Sequence, residues 1–167
     1  MGKSSVLSIP KKHFQTLKDE RTGKMRPADF VVQVGIPVLA GAICFESGWN
    51  LVSASNAIVG ISIVAALMCA MAVLVFQIRL DLRTRQDCPN RDLKLVDEVF
   101  ANTMWAILVG LLLALYLIVW DACALGLQGF ASRLLSAIAV AICLHFVFVI
   151  GMCLKRLQSA YQRLAAK

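Results

Sequence analysis

His145 is the residue in this sequence best placed to do chemistry. It falls near the middle of an otherwise apolar run, 134–154, where an ionisable group is costly and is usually functional or paired. Two readings stay open: a polar element of a pore or relay, or a neutral imidazole hydrogen-bonded across a helix interface. Metal ligation has little to draw on, because the only other histidine is His13, in the polar N-terminal arm, and the six cysteines form no C-x-x-C pair. The cysteines read as small apolar packing residues. No metal and no cofactor is expected.

A second group is Asp97, Glu98 and Asn102. The two carboxylates suit the start of a helix, and Glu98 and Asn102, four apart, share a face that suits a partner contact or a ring at the mouth of an oligomer. Gln33, Asn56 and Asn102 are amides inside or beside apolar runs, and with His145 they are the candidate pore or interface residues. Such amides more often bond helix to helix than line a path. Arg83, Arg85 and Arg91, with Asp97 and Glu98, are the candidate contacts for a cytosolic protein.

Enzyme chemistry is poorly served. A membrane oxidoreductase that makes disulfides needs cysteine pairs at the outer face, and Cys44 and Cys123 are isolated. A proton-coupled exporter wants a carboxylate within the membrane, whereas Asp29 lies at its entrance. The chain is expected not to be an enzyme.

The elements that position these residues follow from hydropathy. Of 167 residues, 59% are apolar, above the range of a soluble domain, and they are grouped into four runs. The spacing predicts an all-α membrane domain over 28–154 with spans near 28–45, 53–78, 99–120 and 134–154. A basic arm (1–27), a polar linker (79–98) and a basic tail (155–167) complete the chain. No signal peptide is recognised, so the first span is expected to be a retained anchor. Sixteen of the seventeen Lys and Arg residues lie in arm, linker and tail, and Arg133 alone lies outside them. The positive-inside rule therefore places both termini in the cytoplasm. The net charge of +7 is topological, and no direct binding of nucleic acid is expected.

Within the spans, Pro37 should kink the first helix and free the carbonyl near Gln33, which then needs a partner from a neighbouring helix. Gly35 and Gly41 permit close approach there. Ser53, Ser55, Asn56, Ala57, Gly60 and Ser62 give span two a small, weakly polar face for packing. Gly126 and Gly129 turn the last hairpin, and Asn90-Arg91-Asp92 is a candidate start for the third helix.

Several stretches resemble small four-span bacterial membrane proteins of anti-phage defence loci, the membrane component of Kiwa-type systems among them. They are Arg26-Pro27-Ala28-Asp29-Phe30 leading to Pro37, Ile61-Ser62-Ile63, Leu95-Val96-Asp97-Glu98-Val99-Phe100-Ala101-Asn102, and His145 through Met152 to Leu154-Lys155-Arg156. The resemblance implies a homo-oligomeric sensor or pore-type effector in the inner membrane, acting with a cytosolic partner encoded nearby. The alternatives are a non-conducting scaffold that anchors a cytosolic protein, or a small transporter.

Overall fold

Pro37 decides where the first α-helix begins. In the computed structural model, which describes residues 31–51, 53–84, 89–123 and 129–165, α1 spans Ile36–Glu46 and is preceded by a π-helical turn, Val31–Gly35. The expected kink inside a continuous helix is thus replaced by a change of helix type. A proline in the first turn of an α-helix lacks only an N–H that would have no intrahelical partner there. Residues 28–30, the predicted start of this span, lie outside the described residues, as do the basic arm and Gly126.

The other three helices are long: α2 Ser55–Thr84, α3 Asn90–Cys123 and α4 Phe130–Ala165. Each is long and apolar enough to cross a membrane, and Val31–Glu46 is a shorter apolar helix. No strand occurs among the described residues. The helices overrun the predicted spans at the charged end. The region expected as a linker, 79–98, is mostly helix, with only the stretch around 85–89 between α2 and α3, and the basic tail continues α4 to Ala165.

Packing runs in the order α2, α3, α4, α1, so the sequence neighbours α1 and α2 share little contact. Three apolar tiers fill the space between α2, α3 and α4. Ile61, Leu113 and Phe146 belong to the first, Met68, Ala106 and Val149 to the second, and Val75, Val99 and Ala160 to the third. Two glycines sit where the packing leaves no room for a side chain. A Cβ on Gly110 would lie 2.9 Å from the buried Phe146 ring, and one on Gly41 would lie 2.9 Å from the Ala137 carbonyl oxygen and 3.1 Å from the Ala141 methyl. Gly41 is the reason α1 can seat on α4. Gly35 meets only Val31 of its own turn.

The outward faces are as apolar as the core. Val59, Ile63, Leu67 and Leu74 on α2, Leu111, Leu112 and Leu115 on α3, and Val147 on α4 are all exposed. In water such a continuous apolar surface would drive aggregation, whereas hydrocarbon solvates it at no cost. The chain reads as a multi-pass membrane protein.

At the end away from the charges, the loop after α1 is tied to two other helices. Asp121 of α3 accepts from the Ala54 N–H (3.1 Å) and the Ser55 hydroxyl (3.4 Å), so its carboxylate caps α2 from a neighbouring helix. The Leu51 N–H donates to Ser136 Oγ at 3.0 Å, and Ser132 Oγ donates to Asn50 Oδ1 at 3.2 Å. Trp49 remains half-exposed in this loop, as suits an interfacial anchor.

Candidate functional site

The site starts from a missing hydrogen. In a continuous α-helix the Gln33 carbonyl would bond the N–H four residues on, but that residue is Pro37 and has none. His145, 112 residues away on α4, answers it: its Nδ1 lies 2.7 Å from the Gln33 oxygen. A carbonyl has no proton to give, so Nδ1 must carry the hydrogen and donate. In the neutral imidazole Nε2 is then an acceptor. The ring also meets Trp105 of α3 edge to face, with centroids 6.3 Å apart. His145 therefore joins the π-helical turn, α3 and α4 at one point.

Gln33 is only 3% exposed, yet neither end of its side-chain amide has a hydrogen-bond partner among the described residues. Leaving such a group dry costs about 1–3 kcal/mol. It lines a cavity between the π-helical turn and the charged end of α4.

The other amides lie elsewhere. Asn102 is fully buried on α3 beside Thr103, whose hydroxyl donates to the Val99 carbonyl at 2.9 Å. Asn56 is exposed on α2, and so are Ala57 and Gly60 on the same face. A Cβ on Gly60 would meet nothing within 4 Å. The small face expected to pack against another helix points outward from the protomer. Of the four candidates for a pore or interface, the structure brings together only Gln33 and His145.

Two of the candidate partner contacts, Asp97 and Glu98, are engaged within the chain. Asp97 accepts a two-pronged bond from Arg79 of α2, through Nε and, at 3.2 Å, through Nη2. The same bond pushes the Arg79 guanidinium further up from its already high range. Glu98 accepts from Arg156 of α4 at 2.7 Å, and this pair is the better buried of the two. Two adjacent carboxylates on α3 thus clasp α2 on one side and α4 on the other. The exposed pair contributes little by itself, about 0–1 kcal/mol, whereas breaking the shielded one strands a charge. Arg83 is exposed on the last turn of α2. Arg91 opens α3, its side chain lying outside the described residues, as does the whole of Arg85.

Sequence reasoning counted Arg79 and Arg156 as topological charge and missed their pairing. The available signal was adjacent carboxylates flanked by arginines at the ends of two other helices. Among the described residues no three His, Cys, Asp or Glu side chains converge as a metal set. Cys44, Cys69, Cys123, Cys143 and Cys153 are all free thiols.

No family model, curated protein or solved structure matches this chain. Function rests on the geometry above. That geometry holds two devices: a histidine that completes a proline-broken helix, and a charged clasp whose pairs span three helices. Neither presents a nucleophile with an adjacent base, which nucleophilic catalysis requires.

Proposed function

We propose that the chain is the membrane component of a bacterial anti-phage defence system, a sensor that works with a cytosolic protein encoded nearby. It lies in the inner membrane with both termini in the cytoplasm and assembles as a homo-oligomer. The observation that carries this reading is the clasp at the charged end. Arg79–Asp97 and Arg156–Glu98 hold α2, α3 and α4 together where a cytosolic partner would meet them. A partner that competes for either carboxylate shifts helix packing, and a shift in packing alters what the partner meets, since coupling is reciprocal.

The positive-inside count supports the orientation. The resemblance of the four sequence segments supports the defence role. The exposed Asn56–Ala57–Gly60 face supports self-association, because small residues let membrane helices approach closely.

The sensor version is favoured over the pore version by where the polar groups sit. Gln33, Asn102 and His145 are buried or half-buried within the protomer, and the outer helical faces are apolar. Away from the Asn56 face, a path between protomers would be lined by Leu, Val and Ile and would stay dry. Asn56 is the candidate that could face a path between protomers.

Phage challenge tests the proposal. Cells carrying the gene with its native neighbours should lower plating of susceptible phage relative to cells that lack it. Asp97→Arg, which repels Arg79, should abolish that protection while the protein still inserts. If the intact locus protects against no phage in a broad panel, the defence reading fails.

A further inference from the structure

The cavity of about 400 Å³ between the π-helical turn and α4 is open on one side. Its floor is apolar, from Val32, Phe148 and Met152, and its rim carries Lys155, Arg156 and Ser159. From Phe148 to Ser159 is three turns of α4, roughly 16 Å. That length takes a phosphate headgroup together with the first part of an acyl chain.

We propose that this cavity binds an anionic glycerophospholipid from the cytoplasmic leaflet, with its phosphate at Lys155. Arg156 shares its charge with Glu98, so Lys155, exposed and in no ion pair among the described residues, supplies the net positive charge of the rim. Charge supplies the specificity. A glycerol headgroup leaves the phosphate the only charge at the site. A headgroup that adds a cation meets repulsion from Lys155. Basic pockets between helices on the cytoplasmic side recognise anionic headgroups by this combination of charge and apolar floor. The glycine at 151 keeps the cavity open, since a Cβ there would meet nothing within 4 Å. The site rests on the proposed orientation, with the charged end of the helices in the cytoplasm, and does not depend on the defence reading.

The test is native mass spectrometry of the full chain in neutral detergent, titrated with phosphatidylglycerol, phosphatidylethanolamine or inorganic phosphate. Phosphatidylglycerol is expected to be retained several-fold better than phosphatidylethanolamine, and millimolar inorganic phosphate should not displace it. Lys155→Gln should weaken retention about fivefold. Gly151→Phe should abolish it by filling the cavity; because it meets open space and replaces a helix-interior glycine, its Tm should hold. Equal retention of the two lipids overturns the proposal, as does unchanged binding by Gly151→Phe. Displacement by inorganic phosphate would assign the site to a free anion and overturn the lipid assignment.

Discussion

Gly41→Leu is expected to detach α1 from α4. At this crossing even a methyl group would sit 2.9 Å from the Ala137 carbonyl oxygen, with backbone as the obstacle. A flexible side chain could swing aside, but Ala137 O belongs to the helix itself and moves only if α4 moves. Overpacking of this kind costs about 1–3 kcal/mol and more where the backbone must shift. Thermal unfolding in detergent, followed by circular dichroism, should show a Tm lower by several degrees. Gly151→Leu makes the comparison fair, because it adds the same bulk where a Cβ meets nothing within 4 Å. Its Tm should stay level or rise. Equal losses at the two positions would mean that the α1–α4 crossing is not the tight contact described.

His145→Leu should have the next largest effect, and its size should depend on Pro37. Removing the imidazole leaves the Gln33 carbonyl without the donor now 2.7 Å away, at a cost of about 1–3 kcal/mol for a buried unsatisfied group. The cause can be isolated by a double-mutant cycle. Pro37→Ala restores an N–H four residues after Gln33 and lets the helix satisfy that carbonyl internally. In the Pro37→Ala background, His145→Leu should therefore cost markedly less than in the native chain. Additive losses, measured by the same thermal melts, would show that the histidine does not serve this carbonyl.

That joint also marks how far the sequence could be read. Pro37 is enough to say that the carbonyl four residues earlier must find another donor, because the rule is local. It does not say which donor, since His145 reaches Gln33 only through the seating of α4 on α1, and that seating depends on Gly41 meeting Ala137. Long-range partners of this kind are set by helix order, about which hydropathy is silent.

The limits of α2, α3 and α4 show the same division. Apolar content located where each helix would cross a bilayer. It stopped at Ile78 and began again at Val99, yet both helices continue into the charged segment, where Arg79 and Asp97 support one another. Asn56 and its small neighbours mark a face suited to close packing, but α2 is apolar all round, so periodicity carried no signal of which face the protomer buries. The buried stripe is Ile61, Ala65 and Met68, and Asn56 is exposed.

The central proposal is that Asn102 and His145 serve contacts inside each protomer, so that the chain acts as a sensor and not as a pore. Potassium and proton flux through proteoliposomes, with the purified chain alone and with its cytosolic partner, tests this most directly. The account predicts flux equal to that of protein-free vesicles in both cases. A partner-dependent leak that is lost in Asn56→Leu would contradict it and assign the chain to a pore.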